Sequence, residues 1–301
     1  MELYEIKVQI EKVILVAVNT EDEKETNASL DELEELIETA GAIPVGRMIQ
    51  NRESVNSGTY IGKGKIEELK EYVAALEATG IVCDDELSPA QLKNLEEQLD
   101  TKVMDRTLII LDIFAKRALT KEGKIQVELA QLRYRSARLV GLRTSLSRLG
   151  GGIGTRGPGE KKLEIDRRLI SDRIAELRRD IEDMERHRDL SRSRRSDNSI
   201  PVISIVGYTN AGKSTLLNRL TDAKILEEDK LFATLDPTTR LLNLGNDEPL
   251  LMTDTVGFID KLPHHLIDAF RSTLEEAKHA DLIIHVVDCS NPEHETQMQV
   301  V

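Results

Sequence analysis

The sequence predicts an α/β protein in three parts: an N-terminal α/β domain built on a parallel sheet, an antiparallel helical hairpin with a glycine-rich tip, and a partial phosphate-binding α/β domain. Three observations carry this. Strand-like apolar runs alternate with helix-like stretches over residues 1–115. Two long apolar stripes at coiled-coil spacing follow over 116–198. From 199 to 301, the run Ile200 to Val206 leads through a glycine loop into the apolar-periodic segment Thr215 to Leu220.

In the first part, Lys12 to Val18 reads as a buried strand, and Ser29 opens a helix in which Leu30, Leu33, Leu36 and Ile37 recur at helical spacing until Gly41 stops it. A strand at Ala42 to Ile49, a helix from Ile66 to Leu76, a strand at Ile81 to Cys83, a helix from Pro89 to Leu99 and an apolar strand at Leu108 to Ile113 complete the alternation. The loop Tyr60-Ile61-Gly62-Lys63-Gly64-Lys65 precedes a helix. It reads either as a phosphate-binding turn or as a flexible turn carrying solvated lysines. Asp84 and Asp85 at a strand end read as a polar loop capping the next helix.

In the middle part, Ile125, Leu129, Leu132, Ser136 and Leu139 form one stripe, and Ile170, Ile174, Leu177, Ile181 and Met184 the other. Between them, Leu149 to Gly159 is too rich in glycine to hold regular structure unaided. Its flanks are basic. Residues Gln131 to Arg195 carry a net charge of about +8 in a chain whose total is −13, and arginines such as Arg148 and Arg156 crowd the tip. Positive charge on a projecting loop fits contact with an RNA backbone, against the plainer reading of a solvated coiled-coil surface. Ser191 to Asn198 reads as a linker.

The third part holds the chemistry. Gly207-Tyr208-Thr209-Asn210-Ala211-Gly212-Lys213-Ser214, followed by Thr215, fits G-x-x-x-x-G-K-[ST] between a strand and a helix. In that pattern backbone N–H groups cradle phosphate oxygens, Lys213 reaches the β and γ phosphates, and the Ser214 hydroxyl ligates Mg²⁺. Phe232-Ala233-Thr234-Leu235-Asp236-Pro237-Thr238-Thr239 lies where switch proteins place a threonine that closes over the γ phosphate, and three threonines compete for that role. Strand residues Leu250 to Thr253 end in Asp254-Thr255-Val256-Gly257, a D-x-x-G motif in which Asp254 sits near Mg²⁺ and the Gly257 N–H meets the γ phosphate. A β-like run at Leu241 to Leu244, a helix from Leu266 to His279 and a strand from Leu282 to Val287 complete the order.

Composition narrows the setting. The acidic balance argues against general attraction to nucleic acid, and 3% aromatic residues without Trp leave no stacking surface for single strands. Cys83 and Cys289 stand far apart in no ligand spacing and read as reduced and half buried. No apolar run approaches bilayer-spanning length and the N-terminus lacks signal-peptide regions, so a cytoplasmic protein is expected, with peripheral association with a membrane left open.

On these motifs the chain resembles the HflX family, ribosome-associated GTPases of the Obg–HflX group. The likeness runs nearly end to end, through Glu38-Thr39-Ala40-Gly41-Ala42, Thr59 to Lys65, Gln126 to Leu132, Leu149 to Lys161, Gly207 to Thr215, Phe232 to Arg240 and Asp254 to Ile259. The resemblance implies GTP as substrate, Mg²⁺ as cofactor, binding of the large ribosomal subunit, and rescue or splitting of ribosomes under stress; contact with its rRNA is expected through the basic hairpin on the charge noted above, and a monomer is expected. It assigns Ser214, Thr234 and Asp254 to the metal, Lys213, Thr234 and Gly257 to catalysis, and 207–215, 232–236 and 254–257 to the nucleotide. Two departures stand out. Phe258 occupies the place after Gly257 where many switch GTPases carry a water-orienting glutamine, so unassisted hydrolysis is expected to be slow. The sequence also stops at Val301 without a guanine-reading N-K-x-D motif, so base specificity comes from the resemblance alone. A fragment ending early, with a sheet edge or apolar face exposed, is the expectation. Two other readings are an RNA-binding module whose nucleotide domain does not turn over, and an ATP-using P-loop enzyme such as a small-molecule kinase, for which the sequence supplies no substrate pocket or lid.

Overall fold

The computed structural model describes residues 10–20, 22–149, 158–196, 200–221, 230–243, 249–263, 266 and 271–301. The chain divides into two units, Met1–Ile110 and Leu111–Val301.

The first unit carries β1 (Lys12–Asn19), α1 (Glu23–Ala40), β2 (Ile43–Asn51), α2 (Lys63–Ala75), β3 (Gly80–Cys83), α3 (Pro89–Leu99), β4 (Lys102–Asp105) and the start of α4 (Arg106–Arg117). Its sheet is parallel throughout, in the order β2-β1-β3-β4. Central β1 is buried along Val13 to Val18, as a strand covered on both faces must be. Helix α1 starts earlier than Ser29, because the Asp22 side chain accepts the Lys24 N–H (2.8 Å) and so caps it. It ends as expected at Gly41, whose φ of 90° continues the chain in the left-handed region.

Leu108 to Ile113 is not a strand. It lies inside α4, and the last strand is β4, immediately upstream. The Asp105 carboxylate accepts the Leu108 N–H (2.9 Å) and turns the chain into a helix that a short apolar run does not reveal. Asp84 does not cap α3 either. Ser88 and Gln91 do so as a reciprocal capping box, with Pro89 in the first turn. Asp84 is buried against Arg106 (2.9 Å), which also reaches Glu32 (2.7 Å) and the Ser29 carbonyl (2.7 Å). A desolvated guanidinium held this way is structural, since removing one partner would leave a buried charge uncompensated. In the loop before α2, the Gly62 N–H donates to Gln50 Oε1 (2.8 Å) and Lys65 pairs with Glu68 (2.8 Å), so the loop is tied down by its own neighbours. Cys83 is fully buried and Cys289 exposed, which replaces the half-buried expectation for both; the two thiols are free.

The second unit opens with the hairpin of α5 (Lys121–Leu149) and α6 (Pro158–Ser196). Ile125, Leu129 and Leu177 are buried in its seam with Leu132, Ile174, Ile181 and Met184 around them, and Arg173 bridges to Glu128 (2.8 Å). Helix α6 extends to Ser196 through most of the stretch expected as a linker, because arginine is a good helix former. Arg156 lies outside the described residues, as does the Arg148 side chain.

Then follow β5 (Val202–Gly207), α7 (Lys213–Thr221), β6 (Thr238–Asn243), β7 (Pro249–Asp254), α8 (Arg271–Lys278), β8 (Leu282–Val286) and α9 (His294–Val300). The sheet order is β6-β7-β5-β8, with β6 antiparallel to β7 and the other pairs parallel. Ile205, Leu217, Leu250 and Met252 form its core. Strand β8 lies at the sheet edge, with Leu282 and Ile283 exposed. Among the described residues no helix is long and apolar enough to cross a membrane.

Candidate functional site

Central strand β5 ends at Gly207, and the chain loops back over its end before α7 begins at Lys213. Asn210 (φ 60°) and Gly212 (φ 90°) take left-handed backbone, the alternation that turns successive N–H groups toward one concavity. The positive end of α7 faces the same space, which makes an anion site from backbone alone. Gly207 is required for a second reason: a Cβ there would lie 2.4 Å from the Val286 carbonyl on β8.

Lys213 is 6% exposed, and its Nζ donates to the Tyr208 carbonyl at 2.6 Å. Burial lowers its pKa to about 8, with Asp254 opposing the shift. An arriving polyphosphate would restore the full charge. Ser214 Oγ donates to Asp254 Oδ2 (2.6 Å) and lies 2.9 Å from Thr234 Oγ1. Of the three competing threonines, Thr234 is therefore the one brought to this point. Thr238 and Thr239 belong to β6, where Thr239 Oγ1 meets Thr253 Oγ1 (2.9 Å). Burial raises the Asp254 pKa against the hydrogen bond from Ser214, and its Oδ1 is buried with no hydrogen-bond partner. A hard oxygen donor set with an orphaned carboxylate oxygen fits Mg²⁺.

The segment after Asp254 is zipped to the phosphate loop by backbone. Thr209 N–H donates to the Phe258 carbonyl (2.7 Å) and Phe258 N–H to the Gly207 carbonyl (3.1 Å), while Asp260 N–H meets the Tyr208 hydroxyl (2.8 Å). Thr255 Oγ1 is committed to the Ile205 carbonyl (2.6 Å) and Val256 is buried. At Gly257 a Cβ would lie 2.5 Å from Thr209 Cα. Gly257→Ala should therefore push the two segments apart and lower nucleotide hydrolysis at least about tenfold, with a fall in melting temperature as well, since the clash is with backbone at a buried position. Hydrolysis at the parental rate in Gly257→Ala would show that this contact does not matter.

Segment 232–236 closes the other side. Phe232 N–H donates to Thr209 Oγ1 (2.8 Å), and its ring meets Phe114 edge-on at 4.8 Å. Ala233 and Thr234 line the cleft and Leu235 is buried. Asp236 turns elsewhere. Its carboxylate accepts from Leu119 and Thr120 at the start of α5. Together these parts border a solvent-open cleft of about 420 Å³. Lys230 also lines it, although it belongs to no motif and carries no signal in the sequence.

The family model described as "GTP-binding GTPase N-terminal" matches residues 27–115, "GTP-binding GTPase Middle Region" residues 117–195, and "50S ribosome-binding GTPase" residues 202–301. The GTPase HflX of Lacrimispora saccharolytica is 71% identical over 300 residues, which cover 100% of this chain and 71% of that protein. The GTPase HflX of Escherichia coli is 44% identical over 97% of this chain and 68% of its own length. Among solved structures, a GTP-binding protein from Sulfolobus solfataricus in complex with GDP aligns at a TM-score of 0.50 and 27% identity, covering 96% of this chain and 74% of that one.

Proposed function

This chain belongs to the HflX family of GTPases, and on that premise we propose that it couples its GTP cycle to association with the large ribosomal subunit, acting as a cytoplasmic monomer in ribosome splitting or rescue under stress. It is a GTP-binding GTP hydrolase. The observation that carries the coupling is the convergence of Ser214, Thr234 and Asp254, one residue from each of three segments, within 2.9 Å. A switch needs that convergence, because its segments must answer to one ligand.

In this reading the N–H groups of 207–215 surround the phosphates and Lys213 leaves the Tyr208 carbonyl for the β and γ oxygens. Ser214, Thr234 and Asp254 would hold Mg²⁺, which when bound neutralises charge developing on the phosphates. The Gly257 N–H would report the γ phosphate to the segment that follows. Thr234 does the same for 232–236. Phe258 offers no polar atom to orient water, so the group that completes the site is expected from the partner.

The match of 202–301 to a 50S ribosome-binding GTPase and the charge of about +8 on Gln131 to Arg195 support a ribosomal partner met through rRNA phosphates. The experiment is co-sedimentation with large subunits over a salt series. Replacing Arg148 and Arg156 together by glutamine should weaken binding and reduce the slope of log affinity against log salt by about one to two, one for each phosphate that an arginine no longer neutralises. If affinity and slope both stay at parental values, the hairpin tip does not touch the RNA.

A further inference from the structure

We propose that Asp236 forms a clasp with Leu119 and Thr120, the two residues that lead into α5, so that the state of segment 232–236 is transmitted mechanically to the helical hairpin. The inference rests on the reading that this segment responds to the γ phosphate. It adds the contact through which the response leaves the nucleotide site.

The contact is fully formed. Asp236 Oδ2 accepts the N–H groups of Leu119 (2.8 Å) and Thr120 (2.9 Å), and Oδ1 accepts the Thr120 hydroxyl (2.5 Å). Thr120 is the residue before α5, and its Oγ1 in turn accepts the Gly123 N–H (2.9 Å). Asp236 therefore extends the cap of a 29-residue helix whose positive end attracts its negative charge.

Gly123 supplies an independent observation. A Cβ there would lie 2.3 Å from Asp236 Oδ1 and 3.1 Å from Thr120 Oγ1. Glycine is a poor choice in the first turn of a helix on conformational grounds. Its presence fits the approach of the carboxylate, which a Cβ at this position would displace.

Two residues before the clasp, Thr234 meets Ser214 at the proposed metal position, and two residues further back the Phe232 N–H is anchored on Thr209. Five consecutive residues thus connect the phosphate loop, the metal position and the base of the hairpin. A span this short cannot shift at Thr234 while Asp236 stays in place unless the backbone between them refolds. Coupling through such a link is reciprocal: whatever factor the triphosphate contributes to holding the hairpin base, the intact clasp contributes to preference for the triphosphate. Asp236 is a positioning residue in this scheme, acting through Thr234 and through α5.

The test uses the full chain with Mg²⁺, GDP and a non-hydrolysable GTP analogue. Two readouts are taken: the ratio of affinities for the two nucleotides, and hydrogen exchange of the amides at 119–123 in each state. In the parental protein those amides should exchange more slowly with the triphosphate analogue than with GDP. Asp236→Ala should abolish that difference and reduce the triphosphate preference about tenfold, within the range typical of coupled sites. Gly123→Ala should do the same even though alanine is the better helix former, a sign opposite to that of a purely structural effect on α5. It also keeps the test decisive if Asp236→Ala folds poorly. Nucleotide-dependent protection that persists in both variants, with an unchanged affinity ratio, overturns the clasp and leaves the GTPase reading intact. A parental chain with no magnesium-dependent preference for the triphosphate overturns the clasp and the switch reading together.

Discussion

Lys213→Ala should reduce GTP hydrolysis by about 10²- to 10³-fold or more, the loss typical when one preorganised electrostatic contact to a transition state is removed, roughly 2.7–4 kcal/mol. The side chain is buried beside the phosphate loop and parked on the Tyr208 carbonyl at 2.6 Å. That geometry keeps a cation beside the place where phosphate charge is expected, so that only the hydrogen bond to Tyr208 has to be exchanged when the nucleotide arrives. The fold should survive the change. The Tyr208 carbonyl still accepts the Ala211 N–H (3.3 Å), and deleting a cation whose pKa burial has lowered to about 8 relieves desolvation in the nucleotide-free protein. A melting temperature at or above the parental value, alongside lost turnover in a single-turnover assay, is the expected pair of results. Parental turnover in Lys213→Ala would mean that the phosphates are not held in this cleft.

Lys213 stands in a stretch whose role the sequence makes visible. The glycine loop is legible because each residue type answers one demand within nine positions: left-handed backbone at Gly212, a cation at 213, a hydroxyl at 214. The hairpin seam is legible for a similar reason, since a stripe of Ile125, Leu129 and Leu132 repeats over several turns. By contrast, Leu108 to Ile113 is too short and apolar to separate strand from helix, and the deciding group is the single carboxylate of Asp105. The Arg106 cluster joins Ser29, Glu32 and Asp84 across up to 77 positions, and Asp236 meets Thr120 across 116. Nothing local announces such pairs. Gly123 is the trace that the second leaves in the sequence, a glycine where a helix former would otherwise stand, and it gains meaning only once the carboxylate lies against it.

Large ribosomal subunits should raise the GTP turnover of this protein by about 10³- to 10⁵-fold, the range by which partner-supplied groups accelerate related hydrolases. Phe258 is held by its backbone. Its N–H is bonded to the Gly207 carbonyl and its own carbonyl to the Thr209 N–H, so the backbone at this position is fixed to the phosphate loop and is not free to swing a different residue into place. What projects from that fixed backbone is a phenyl ring, which neither donates to water nor accepts from it. Water can then be oriented only by a group that arrives from outside or by a rearrangement that breaks the two backbone bonds. Phe258→Gln separates these routes. If the missing amide is what limits the chain alone, unassisted turnover should rise in Phe258→Gln while the factor gained from subunits shrinks by a similar amount. If unassisted turnover stays low and stimulation is preserved, the subunits act by moving the clamped segment itself. Fast parental turnover that subunits do not change would count against both routes, because the chain would then already contain its water-orienting group.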